Sequence, residues 1–193
     1  MNEVSEIQDL FKVPLYHKDL KLDNESMAKY CLSMSKEDKG RELSNIGGWQ
    51  SNDLIGVHKP LNELIENIEY HSNQFASIID IKSPLAIDNI WINVNGFKDT
   101  NDLHLHSGCI LSGVYYIQTP KDCGNINFYH PSYDTFQYDW NNLANNHNNY
   151  NSTTWWLPSK SGILYIFPSW LYHNVKPNLN RKEKRISISF NLK

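Results

Sequence analysis

The residues of this chain that could do chemistry are two histidines in the tripeptide His104-Leu105-His106, a third at His173, and a basic residue at Arg185. On an extended segment side chains alternate with period two, so His104 and His106 point to one side. A third imidazole from a distant strand would complete one face of a metal's coordination shell and leave the other face open. An open face on an iron-type metal is where oxygen chemistry takes place, so a metalloenzyme is the leading expectation. Twelve residues after His173, Arg185-Ile186-Ser187 opens a final strand with Arg185 and Ser187 on one side. A guanidinium fork beside a hydroxyl makes a receptor for a carboxylate. The flanking Ile186, Ile188 and Phe190 place that strand within the fold rather than on its surface. His17, His58, His71 and His147 need no more than surface or capping roles.

The elements that must position these groups follow from periodicity. A chain of 193 residues suits one domain with a substantial core, helical over 1–83 and strand-rich over 84–193. Phe11 to Tyr16 suits an edge strand, where Pro14 is tolerated. Met27, Cys31 and Met34 recur at helical spacing behind Asp23 or Asn24 as cap. Leu61, Leu64, Ile65, Ile68, Phe75, Ile78 and Ile79 mark a longer amphipathic helix opened by Pro60. Between these helices Trp49 suits core packing better than ligand contact. After Pro84 short strands are expected over Ile87–Val94, Ser112–Gln118, Asn125–Tyr129, Gly162–Phe167 and Arg185–Leu192, separated by Gly, Pro, Asn or Asp clusters. Helices first and many short strands afterwards predict a mostly β fold, a sandwich or small barrel with helices on one sheet. An Asn-rich insert over about 132–157, flanked by Tyr133, Phe136, Tyr138, Trp140, Trp155 and Trp156, suits either a lid or an expanded loop.

Composition removes several function classes. A net charge of −3 and a pI near 6.2 give no electrostatic reason to expect nucleic acid. The basic run Arg181-Lys182-Glu183-Lys184-Arg185 is short and interrupted by an acid. Three cysteines, Cys31, Cys109 and Cys123, show no CxxC spacing and fit a reducing cytoplasm. The acidic start Met1 to Glu6 lacks the apolar region of a signal peptide, and no apolar run approaches the ~20 residues of a membrane helix. A cytoplasmic, soluble chain without nucleic-acid or membrane partners is expected.

The order of motifs resembles the iron(II)- and 2-oxoglutarate-dependent dioxygenases, in particular their prolyl-hydroxylase-like branch and a set of small oxygenases common in bacteria and phages. The resemblance spans Trp91 to Leu192, with Gly47-Gly48-Trp49-Gln50-Ser51 similar to the smaller set. It is carried by His104-Leu105-His106, Ser112 to Ile117, Gly124 to Phe128, Gly162 to Pro168, His173 to Pro177 and Arg185 to Asn191, in that order. It implies a double-stranded β-helix, or jelly roll, with Fe(II) as metal and 2-oxoglutarate and O2 as co-substrates. His104 would be the first iron ligand and His173 the distal one. Arg185 would hold the far carboxylate of 2-oxoglutarate with Ser187 and Tyr116 as helpers, and Asn93 would lie near its chelating end. Hydroxylation of a small molecule, protein or peptide, with release of succinate and CO2, is the activity implied; a homodimer is one possible assembly. The chain departs from the family at His106, which stands where the usual triad carries Asp or Glu. Asp102, with the same facing, and His130 are alternative ligands. Three-histidine iron sites occur in related cupins that use no 2-oxoglutarate, so such an oxygenase, or a jelly-roll binding module without activity, are the competing readings.

Overall fold

The computed structural model of the chain describes residues 7–82, 84–135 and 143–193. Two antiparallel sheets face one another as a jelly-roll sandwich. The larger holds β1 (Tyr16–Asp19), β9 (Ile163–Pro168), β6 (Leu111–Gln118), β11 (Arg185–Leu192), β4 (Ile87–Asn95) and β3 (Trp49–Gln50), in that spatial order. The smaller holds β2 (Asn45–Ile46), β5 (Thr100–His104), β10 (His173–Val175), β7 (Ile126–Tyr129) and β8 (Thr154–Leu157).

Helix α1 (Asn24–Met34) starts where the Asp23 carboxylate accepts from Ser26 N at 3.1 Å, and it buries Met27, Ala28 and Cys31. Helix α2 (Asn62–Ile78) follows a 3-10 turn over Lys59–Leu61 that contains Pro60, and buries Leu64, Ile68 and Phe75. Both helices pack on the outer face of the larger sheet. This sheet is therefore covered twice. Along β11, Ile186, Ile188, Phe190 and Leu192 join the helices in one core, which leaves Arg185, Ser187, Ser189 and Asn191 on the opposite face. The same split on β4 sends Ile90, Ile92 and Val94 to the helices and leaves Trp91, Asn93 and Asn95 for the interior. Val114, Tyr116, Ile126, Phe128, Tyr165 and Phe167 build a second core between the sheets. Coverage on both faces explains the near-continuous apolar runs of β6 and β9, where clean alternation would signal a solvated face.

Some expectations shift. The edge strand is Tyr16–Asp19 rather than Phe11 to Tyr16, paired with β9 in the register Tyr16↔Ile166; with no N–H to give, Pro14 falls just before the ladder instead of within it. Strands β2, β3, β8 and β10 are two to four residues long, too short to write a periodic pattern. Trp49 packs partly buried against the helix-side core while its Nε1 donates to Asp38 Oδ1 at 3.2 Å. His71 is buried and bonded to the Tyr16 hydroxyl at 2.8 Å, a packing role rather than a surface one. Phe136, Tyr138 and Trp140 of the insert lie outside the described residues, and with them the expectation of a lid. Trp155 and Trp156 sit exposed on β8, at the edge of the smaller sheet. Among the described residues no helix is long and apolar enough to cross a membrane.

Candidate metal centre and carboxylate pocket

Antiparallel pairing of β5 with β10 sets His104 directly opposite His173. His106 lies beyond the last residue of β5, so the two histidines do not share a strand as expected. The chain turns at Ser107-Gly108, where Gly108 takes a φ of 81°. His106 N donates to the Ser169 carbonyl at 2.9 Å, and this tie carries the segment back across the sandwich. The three rings surround one point nonetheless. Their centroids are 4.3 Å apart for His104–His173 and 5.1 Å for the other two pairs, and their ligand atoms lie within 4.8 Å of one another.

Each ring is held through Nδ1. His104 Nδ1 meets the Asp102 carbonyl at 2.7 Å, His173 Nδ1 the Leu171 carbonyl at 2.9 Å, and His106 Nδ1 both Ser112 Oγ at 2.9 Å and Asn191 Oδ1. A carbonyl can only accept, so Nδ1 of His104 and His173 carries the proton and Nε2 presents the lone pair, the usual arrangement of metal-ligating imidazoles. Burial pushes all three pKa values down, His106 to about 4 and His173 well below the ordinary range; the neighbouring His104 adds to the effect on both. The imidazoles are therefore neutral near pH 7 and competent as ligands. Asp102 is not among the converging groups: its side chain is exposed and accepts from Leu103 N at 2.8 Å. His130, which accepts from Ser132 N at 3.0 Å, is absent from the cluster as well.

Beside the histidines, a cavity of ≈ 40 Å³ runs along the inner face of the larger sheet. Register pairs Ser187 with Asn93 on one side and Tyr116 on the other, so three of the expected co-substrate residues form one lateral row. Arg185 stands one pleat away, 1% exposed. Its Nη1 donates to the carbonyls of Cys123 and, at 2.8 Å, Lys176, while Nη2 and the Tyr116 hydroxyl have no hydrogen-bond partner among the described residues. Burial pushes the Tyr116 phenol up to about 12, against the pull of the Arg185 charge, so it is a proton donor. Asn93 Nδ2 donates to Ser189 Oγ at 3.0 Å. Among the described residues no acidic side chain lines the cavity.

Several site residues escaped the sequence. Asn191 and Ser112 hold His106, and Trp91 packs against it with ring centroids 5.8 Å apart. The alternation that pairs Arg185 with Ser187 extends to Ser189 and Asn191, a signal available in the sequence.

Residues 89–191 match the model of a family described as "Putative 2OG-Fe(II) oxygenase". Among solved structures, a Pseudomonas putida prolyl-4-hydroxylase is similar with a TM-score of 0.65 at 13% identity, over 94% of this chain and 92% of that one. The non-heme alpha ketoglutarate dependent epimerase SnoN from nogalamycin biosynthesis gives 0.68 at 14%, over 93% and 78%. A viral collagen prolyl hydroxylase from Paramecium Bursaria Chlorella virus-1 gives 0.58 at 12%, over 92% and 94%. At these identities the likeness concerns the fold. Comparison with curated proteins gives no match.

Proposed function

Since this chain belongs to the 2OG-Fe(II) oxygenase family, we propose that it is an iron(II)- and 2-oxoglutarate-dependent oxygenase that hydroxylates an organic substrate. The observation that carries this reading is the Nη2 of buried Arg185, unpartnered among the described residues, in the same cavity as three converging histidines and with no carboxylate among the described lining side chains. A buried charge left unpaired is costly. A divalent ion at the histidines together with the guanidinium would bring three positive charges into a cavity lined by neutral groups. A dianion that spans both ends answers that imbalance, and 2-oxoglutarate has one carboxylate for each.

The donor set fits both groups. His104, His106 and His173 would hold the metal on one face, with Nε2 as ligand atom and Nδ1 anchored. Arg185 Nη2 and the Tyr116 hydroxyl would receive the distal carboxylate, with Ser187 between them in register. When bound, iron and 2-oxoglutarate supply the activation of O2 that oxidises the substrate, with succinate and CO2 as co-products. The residues of the chain bind and orient: the guanidinium fixes the diacid end to end, the Nδ1 bonds fix the ring planes, and Trp91 and Phe167 help to exclude water from the rings.

A second reading rests on His106. A histidine where the family usually carries a carboxylate leaves the metal ligands uncharged, as in three-histidine oxygenases that use no 2-oxoglutarate. One experiment separates the two. Purified chain supplied with Fe(II), 2-oxoglutarate and air is expected to form succinate, with loss of that activity in His173→Ala. Metal-dependent O2 uptake without succinate favours the second reading, and failure to retain metal defeats both.

A further inference from the structure

The three histidines are not held alike. His104 and His173 each bond through Nδ1 to the carbonyl two residues earlier in their own chain segment, Asp102 and Leu171. That device is local and uses only the backbone of the same segment. His106 lies past the end of its strand and does not use it. Its Nδ1 is held by side chains from elsewhere in the sequence: Asn191 Oδ1, on β11, and Ser112 Oγ, on β6.

We infer that Asn191 is a positioning residue which, oriented by Asn89 and helped by Ser112, makes His106 a metal ligand. This rests on the reading that the three histidines hold one divalent metal. Asn191 Nδ2 donates to Asn89 Oδ1 at 2.8 Å, which leaves its oxygen facing the ring. The same Oδ1 also accepts from Ser112 Oγ at 2.7 Å. Ser112 has a single proton, now spent on Asn191, so its lone pairs take the Ser169 hydroxyl at 2.7 Å and the imidazole N–H. With the amide oriented in this way the proton of His106 sits on Nδ1, where it meets Asn191 Oδ1 and Ser112 Oγ, and Nε2 then offers its lone pair toward His104 and His173. A reversed amide would present N–H to Nδ1, move the ring proton to Nε2 and remove the ligand. The network is enclosed, with Ser112 and Ser169 fully buried and Asn191 6% exposed, so water offers little alternative. The polar stripe of β11 thus serves two ends of one site, Arg185 at its start and Asn191 near its finish.

The test uses Co(II), whose visible absorption reports ligand number, with competition titrations for affinity. The wild-type chain is expected to bind one Co(II). Asn191→Leu, similar in shape but without the acceptor, is expected to weaken binding about 10- to 100-fold and change the band shape. Asn191→Asp keeps an acceptor oxygen and is expected to bind as well as wild type or better, since the half-buried Asn89 can turn its amide to donate. In a His106→Ala background, Asn191→Leu is expected to cost less than about 3-fold, because a residue that acts through His106 has nothing left to act on. Wild-type affinity and spectrum in Asn191→Leu overturn the inference, as does an equal loss in the His106→Ala background. Should Asn191→Leu fail to fold, Asn191→Asp decides: binding more than about 10-fold weaker than wild type, with native circular dichroism, overturns it. No Co(II) binding by the wild-type chain would instead overturn the underlying metal reading.

Discussion

Replacing Arg185 by Met removes the guanidinium while filling most of its volume, and the structure sets the size of the consequence. In the free protein Nη1 satisfies the carbonyls of Cys123 and Lys176, and Nη2 satisfies nothing. The substitution strands two carbonyls, at about 1–3 kcal/mol for an acceptor left unsatisfied, but it also removes a charge whose desolvation pulls the Arg185 pKa down. These effects oppose, so a modest change in thermal stability is expected. Binding of 2-oxoglutarate has no such compensation. Truncating one partner of a buried, hydrogen-bonded charge pair costs about 2–5 kcal/mol, and at about 1.4 kcal/mol per decade the dissociation constant should rise roughly 30- to 4000-fold. Calorimetric titration of the Mn(II)-loaded protein measures this directly. Metal affinity, titrated separately, should stay within about 3-fold of wild type, since Arg185 is not in the cluster of side chains that could hold a metal. Arg185→Lys keeps the charge without the fork and should fall between. A 2-oxoglutarate affinity unchanged in Arg185→Met would refute the anchoring role.

Tyr116→Phe deletes a buried hydroxyl that has no partner in the free protein; apo thermal stability should hold or rise, while 2-oxoglutarate binding weakens about 5-fold, near 1 kcal/mol. Lowering the pH should destabilise the metal-free chain between about 6.5 and 4, because the folded pKa of His106 is depressed to about 4 and the unfolded chain takes up protons first. That contribution is complete above pH 6.5 and is lost as pH falls, by about 2 kcal/mol for His106 alone between pH 7 and pH 4.5, readable from urea unfolding at those two values; a flat profile would contradict it. A Cβ at Gly113 would lie 2.2 Å from the Phe190 ring and 2.5 Å from the Tyr165 carbonyl, so Gly113→Ala should cost about 1–3 kcal/mol, seen as a lower midpoint in the same unfolding experiment.

Much of the fold was legible because long elements write their period clearly. The last strand runs Arg185–Leu192 as expected, and α1 begins behind the Asp23 cap. Short strands lack that signal: β10, which carries His173, has three residues and is defined by its partners β5 and β7 rather than by its own pattern. The histidine cluster was legible as residue types and order, whereas its geometry was not. His106 reaches the cluster by a turn and a backbone tie to Ser169, a long-range contact that no local spacing encodes. The same holds for Asn191, 85 residues from the ring it touches. Arg185, Ser187, Asn93 and Tyr116 share a face because strand alternation and register combine, and only the alternation can be read without knowing which strands are neighbours.

The most direct test of the account is an anomalous-difference map from crystals grown with Mn(II) and 2-oxoglutarate. One peak per chain is expected within coordination distance of the Nε2 atoms of His104, His106 and His173, with the distal carboxylate against Arg185 Nη2. A peak bound by Asp102 in place of His106, or by none of the three imidazoles, would contradict it.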